Sequence, residues 1–297
     1  VMNEIVKYSS SKKIMLFCAF SNDLVTSNII RNSKSAKWNF SNTDFHFKIE
    51  SFEPVIIFDT PFDLICSSDK GSYTIFSTKG RYNFESSEWS GKNGLITWEK
   101  HGYSKDSVFA NISSYRIDTR KSDLNADSAL FYNKYDYPNS IIGRVNNKLT
   151  RGKQAVLFPK FDSYSKAIEL KEIFLNIDYR GGYNMYGKEF VADGGNYAEA
   201  KIVFKRNGNE LFIANANKFI IKSNKIVASE AGVKIFFDSD SIYHANLQFK
   251  YDDNNRSLQL YRKVNSFSGA PMLNTYHNVT IDFELLKWNI DSNIITF

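Results

Sequence analysis

The chain is poor in cysteine, proline and histidine. Two cysteines, Cys18 and Cys66, cannot make a disulfide framework in 297 residues; one bridge and two unpaired thiols both remain open. Five prolines leave no room for polyproline spacers. No apolar run approaches the roughly 18 to 20 residues that a membrane-crossing helix needs. The stretch 14–20, which follows Lys12 and Lys13, imitates a signal peptide, but its apolar run is short and no small-residue cleavage site follows. It reads as a strand. Charge of one sign is never concentrated: 38 basic residues face 32 acidic ones, a net +6, mixed along the whole length. The runs 9–13 and 218–225 are too short for the stripe of a nucleic-acid binder, so no nucleic-acid partner is expected.

What the chain does have is aromatic residues. Phe and Tyr number 25 and 17, and flat rings pack well on half-buried pleated surfaces. Short apolar and aromatic runs, such as 201–205, 211–214, 219–222, 233–237, 247–251 and 257–262, alternate with Gly, Asn, Asp and Ser. This cadence predicts many strands joined by tight turns. Asn207-Gly208, Asp193-Gly194 and Lys70-Gly71 are the natural reversal points. The expected class is all-β: an antiparallel, meander-rich repeated sheet array, sandwich or solenoid. The stretch 163–175 is the one helical candidate, since Ala167, Leu170, Lys171 and Phe174 fall at helical spacing, although Ile168, Leu170 and Phe174 also fit alternation.

An internal repeat organises the chain from about residue 94 onward. Ile96-Thr-Trp-Glu-Lys-His-Gly102, Val108-Phe-Ala-Asn111, Tyr115-Arg-Ile117, Ala126 and Ala129-Leu-Phe-Tyr132 run parallel to a second series. That series is Ile202-Val-Phe-Lys-Arg-Asn-Gly208, Phe212-Ile-Ala-Asn215, Phe219-Ile-Ile221, Ala228 and Val233-Lys-Ile-Phe236. The segment 137–141 then aligns with 243–247. The reading is an N-terminal β-region at 1–93, a first repeat unit at 94–160, and a second unit with C-terminal strands at 161–297. Repeats of this kind build layered β-surfaces. Both ends look like cuts from a larger protein.

The phrases Lys222-Ser-Asn-Lys-Ile-Val-Ala-Ser-Glu-Ala-Gly-Val-Lys-Ile-Phe-Phe-Asp238 and Ala126-Asp-Ser-Ala-Leu-Phe-Tyr132 resemble strand-turn-strand units of long repetitive all-β envelope proteins of Bacteroidetes-type bacteria. The resemblance runs from about residue 94 to the end. A weaker resemblance is to the β-jellyroll and β-groove proteins that carry lipids across the periplasm. The first implies an extended β-scaffold in the cell envelope, with no cofactor and no active site, whose partners are other segments of a larger chain or other envelope proteins. A lipid groove requires a continuous apolar inner face, whereas these strands alternate Lys, Arg and Glu with aromatics.

Candidate chemistry is sparse. His244 and His277 lie in similar settings, Ser241-Ile-Tyr-His244 and Asn274-Thr-Tyr-His277, with Asp240 and Asp282 near in sequence. Imidazole and carboxylate are ordinary metal ligands, but the spacing matches no compact motif, so no metal is assigned. No nucleophile elbow, cysteine-protease signature or phosphate loop is present, and no catalytic residue is assigned. Glu85, Glu88, Glu99, Glu189 and Asp193 lie near aromatics, as the carboxylates of a polysaccharide hydrolase do; sequence does not pair them. Carbohydrate binding without hydrolysis is the better alternative to a scaffold. Trp89 and Trp98 flank Ser90-Gly-Lys-Asn-Gly94, and Tyr179, Tyr183 and Tyr186 crowd an expected turn at Gly181-Gly182, so these five are the candidate stacking platform. The competing reading places them in the core. The expected location is extracytoplasmic.

Overall fold

The computed structural model describes residues 10–41, 43–51, 53–195, 198–237, 240–262, 271–275 and 277–297. Ser9, Asp238 and Tyr276, quoted above, lie outside them. The chain divides into two compact units, residues 1–161 and 162–297. The all-β class holds in both. Among the described residues no helix is long and apolar enough to cross a membrane.

The first unit opens with helix α1 (Ser11–Ser27), where a strand was expected over 14–20. The apolar run suits either element; the ends decide. Ser10 caps the first turn by accepting the Lys13 N–H at 3.4 Å, and Asn28 closes the last turn in the left-handed region. Phe17 and Leu24, seven residues apart, bury one helical face. Phe17 meets Phe47 and Phe84 edge-on at 5.7 and 5.5 Å.

Strands β1 (Ile29–Asn32), β2 (Lys37–Phe40) and β3 (His46–Glu50) follow, and β2 and β3 both pair with β4. Eight strands then form a closed unit: β4 (Glu53–Ser68), β5 (Gly71–Asn83), β6 (Glu88–Lys92), β7 (Leu95–Thr97), β8 (Val108–Asn111), β9 (Ser114–Asp118), β10 (Leu124–Asn133) and β11 (Tyr137–Asn147). Hydrogen bonds run in a ring, β5 to β6, β9, β10, β8, β7 and back to β5, all antiparallel. The hairpin partners β4 and β11 flank β5 and β10. A ring is possible because β5 and β10 each serve two sheets. Strand β10 pairs with β9 at Asn125 and with β8 from Leu130 to Asn133. Its bulge between Ala126 and Ala129, with Ser128 at φ 56°, turns the corner. The result is a sandwich with two shared corner strands.

Strand β12 (Lys160–Ser163) leads into the second unit: β13 (Ile168–Phe174), β14 (Ile177–Tyr186), β15 (Glu189–Asp193), β16 (Ala200–Arg206), β17 (Asn209–Ala216), β18 (Lys218–Lys222), β19 (Lys225–Phe237), β20 (Asp240–Asp252), β21 (Ser257–Tyr261), β22 (Met272–Asn274), β23 (Val279–Ile281), β24 (Leu285–Asn289) and β25 (Ile295–Thr296). The helical candidate 163–175 is therefore a strand end, a loop and β13. Glu172 and Asn176 at positive φ break any helical path, and alternation wins.

The second unit repeats the first pairing for pairing. The ring is β14, β15, β18, β19, β17, β16 and back to β14, flanked by β13 and β20. Strand β19 carries the corner bulge between Ala228 and Ala231, the positions equivalent to Ala126 and Ala129. The repeated architecture thus starts upstream of residue 94, at β4 in the first unit and at β13 in the second. Asn207 and Gly208, at φ 53° and 83°, make the two-residue turn of the β16–β17 hairpin, a geometry that favours Asn-Gly.

Register corrects one part of the sequence alignment. Ala110 faces Phe131 and Ala214 faces Val233, so Val233 is the counterpart of Phe131 and not of Ala129. Likewise Leu247, opposite Ala231, matches Gly143, opposite Ala129, and not Ile141. The first error is two residues; the second is two at Leu247 but three at Ile141, whose counterpart is His244, because β20 carries an extra residue between His244 and Leu247. A two-residue slip keeps every side chain on its own face, so alternation cannot detect it.

The equivalent cores are filled differently at similar bulk. Trp98, Val108 and Phe131 become Phe204, Phe212 and Val233, and all six are at most 1% exposed. Trp98 meets Phe131 edge-on at 5.0 Å, while Phe204 stacks on Phe212 at 4.0 Å. Each such ring contributes about 1.5–3 kcal/mol by burial.

Candidate functional site

Four of the five candidate stacking aromatics are core residues. Trp89 and Trp98 are 0% exposed, Tyr183 0% and Tyr179 2%. Trp89 lies against Phe58 and Phe62, each at 5.6 Å, and donates its indole N–H to the Tyr115 hydroxyl at 3.3 Å. Tyr183 stacks on Phe190 at 4.5 Å, and Tyr179 meets the same ring edge-on at 5.4 Å. Their faces are occupied by neighbours, which leaves none for a sugar ring. Gly181-Gly182 is not the expected turn, because β14 runs unbroken through it. The reason for burial is parity: Trp89, Tyr179 and Tyr183 fall on inward positions of β6 and β14, and Trp98, just past the end of β7, continues the inward face of Ile96. Sequence alternation does not say which face is inside.

Tyr186 differs. It faces outward on β14, half-buried, and donates its hydroxyl to the Asp162 carboxylate. Burial, the hydrogen bond to Asp162 and the charges of Asp162 and Asp193 all push its pKa up. Beside it, Asn184 is fully buried with every amide position used. Its Nδ2 donates to the Val191 carbonyl at 2.8 Å and to Asp193 at 2.6 Å, and its Oδ1 accepts from the Ser163 N–H at 3.2 Å and Lys166 at 3.4 Å. Lys166 also pairs with Asp193 at 2.7 Å. This knot is held from within, Asp193 Oδ1 being met by the Lys166 ion pair alone. It ties the 163–166 segment onto β14 and β15.

The histidine set is not assembled. His244 is buried and accepts the Asn246 N–H on Nδ1 at 3.0 Å, whereas His277 is exposed. Asp240 accepts from the Thr275 hydroxyl at 3.4 Å, and Asp282 is paired with Arg262. Among the described residues no group of three or more His, Cys, Asp or Glu side chains is placed to hold a metal ion. The carboxylates considered for hydrolysis are engaged singly: Glu85 with Lys13 at 3.1 Å, Glu88 with Arg116 at 3.8 Å, Glu189 with Lys222 at 3.2 Å, and Glu99 with the Thr97 hydroxyl at 3.0 Å. Both cysteines are free, Cys18 exposed and Cys66 buried. Burial pushes the Cys66 thiol up to about 12, against a hydrogen bond with Tyr73 and reinforced by the charge of Asp123.

A surface absent from the sequence reading emerges from strand pairing in the second unit. On its outer face one row of directly opposed residues crosses eight strands: Asn184, Val191, Ile220, Val227, Lys250, Gln259, Lys287 and Thr296. The row starts at the buried Asn184, runs through the aliphatic Val191, Ile220 and Val227, of which Val191 is itself buried, and is polar from Lys250 on. The row two residues away is charge-balanced, with Lys222 held by Glu189 and Lys225 by Asp252 at 3.5 Å. In the first unit the equivalent row reads Arg81, Ser90, Arg116, Asn125 and Asn146. Its two arginines are engaged by Glu50 at 2.9 Å and Glu88 at 3.8 Å. Lys250 and Lys287 form no ion pair among the described residues.

Fold and surface together define an all-β protein built from two like units, with polar outer faces and filled cores. No family model matches the chain, and neither a curated protein nor a solved structure matches it.

Proposed function

We propose that this chain is a non-enzymatic β-rich scaffold or interaction module of a larger cell-envelope or secreted protein. The observation that carries this reading is the recurrence of one complete pairing scheme, from β4–β11 to β13–β20. A unit built twice multiplies outer surface at constant architecture, which serves spacing and binding. The step from architecture to role is an analogy at the level of fold. The resemblance to repetitive envelope proteins points the same way and supplies the extracytoplasmic location.

The test is location on intact cells of the source organism. Antibodies raised against the purified chain are expected to label unpermeabilised cells or the culture fluid. Labelling confined to the cytoplasmic fraction overturns the reading.

Carbohydrate binding stays as the second reading, moved to a new place. With Trp89, Trp98, Tyr179 and Tyr183 in the cores, it draws its support from the exposed lysine and amide row on β20, β21 and β24.

A further inference from the structure

We propose that the outer face of β20, β21 and β24 binds an anionic polysaccharide, carboxylated or sulfated, through Lys250, Gln259 and Lys287. The inference rests on the interaction-module reading and names its partner chemistry.

The three side chains stand on consecutive hydrogen-bonded strands, Lys250 opposite Gln259 and Gln259 opposite Lys287. Strand spacing puts the two lysine positions about 10 Å apart, with the amide between them. Both lysines are exposed. Tyr261, the next outward residue on β21, donates its hydroxyl to Gln259 Oε1 at 2.7 Å. That bond occupies the amide oxygen and leaves the amide N–H groups to face a ligand. The Lys250 ammonium lies 4.7 Å from the Tyr261 ring centroid, which holds it beside the amide. The row is therefore rich in donors: an ammonium, an amide NH2 and a second ammonium. Asp252, the acid nearest in the strand, is engaged by Lys225 at 3.5 Å. Oxyanions satisfy such a set.

The site is open and flat, so a small anion makes too few contacts to stay. A chain lying along the row gains contacts from successive strands. Duplex DNA carries one charge per about 1.7 Å, far denser than two lysines over about 10 Å. A polysaccharide with spaced acid groups and intervening hydroxyls matches lysines alternating with an amide.

The experiment is calorimetric titration of the full chain with polygalacturonate at low salt, with neutral dextran and duplex DNA in parallel. The expected result is saturable binding of polygalacturonate that weakens as salt rises. Binding should fall about tenfold or more in the double variant Lys250→Gln, Lys287→Gln. The variant Lys92→Gln, an exposed lysine of the first unit, should bind like the parent. Circular dichroism checks that both variants keep the parent fold. Absence of binding, binding unchanged in the double variant, equal loss in Lys92→Gln, or equal or tighter binding of dextran or DNA each overturns the proposal. Such a failure, with intact cells still labelled by antibody, leaves the module reading standing.

Discussion

Replacing Asp178 by Asn should destabilise the second unit by an amount that depends on pH in one direction only. Asp178 lies on β14 opposite Val203, with its side chain 10% exposed. Its carboxylate accepts the Glu172 N–H at 3.1 Å, Lys171 at 3.2 Å and Lys205 at 2.5 Å. Burial raises its pKa, but the hydrogen bonds from Lys205, the Glu172 N–H and Lys171 outweigh burial and hold it below the usual carboxylate range. Asparagine keeps the shape, loses the charge and turns an NH2 toward the ammoniums. Hydrogen bonds to a charged group contribute about 1.5–3 kcal/mol. The two lysines are 71% and 33% exposed, so water recovers much of the loss, and about 1–2 kcal/mol remains near pH 7. Because the folded pKa lies below the unfolded value of about 3.9, this contribution is fully present above the unfolded pKa. It disappears as pH falls through the folded pKa. Urea unfolding of parent and variant, followed by tryptophan fluorescence, should therefore show a gap at about pH 7 that closes toward about pH 2. A gap of equal size at both pH values, or none at neutral pH, refutes the reasoning.

Two further outcomes follow from the cores. Trp98 Nε1 is buried with no hydrogen-bond partner among the described residues, and its counterpart in the second unit is Phe204, so Trp98→Phe sacrifices no bond seen there and should cost about 1 kcal/mol or less. Trp98→Ala should cost about 3–5 kcal/mol; chemical denaturation compares the two, and equal costs contradict the packing argument. In thiol labelling at mildly alkaline pH, Cys18 should react quickly while the buried Cys66, pushed up to about 12, stays protected until urea is added. Two fast equivalents per native chain contradict that burial.

The aromatic-rich, proline-poor composition and the cadence of short alternating runs determine the β class, because alternation follows directly from the two-residue period of a strand. The Asn207-Gly208 turn and the succession of elements in 96–117 and 202–221 are legible for the same reason: they depend on neighbours in the chain. Helix α1 was not, since residues 14–20 are apolar at nearly every position and suit either element until Phe17 finds Phe47 and Phe84. The upstream part of the repeat was hidden because β4 is one unbroken strand, whereas β13 is short and follows a loop.

The surface proposed for polysaccharide binding belongs wholly to tertiary structure. Lys250, Gln259 and Lys287 sit in three unremarkable strands, and nothing local says that β21 pairs with β24, across a separation of 28 residues between Gln259 and Lys287. The buried tryptophans make the converse point. Sequence alone determined the aromatic supply for two cores; it places a turn at Gly181-Gly182, whereas Tyr179 and Tyr183 stand on the unbroken β14, and Trp98 lies just past the end of β7. Only closure of each hydrogen-bonded ring decided that those residues face inward, because alternation defines two faces and long-range pairing chooses which one is dry.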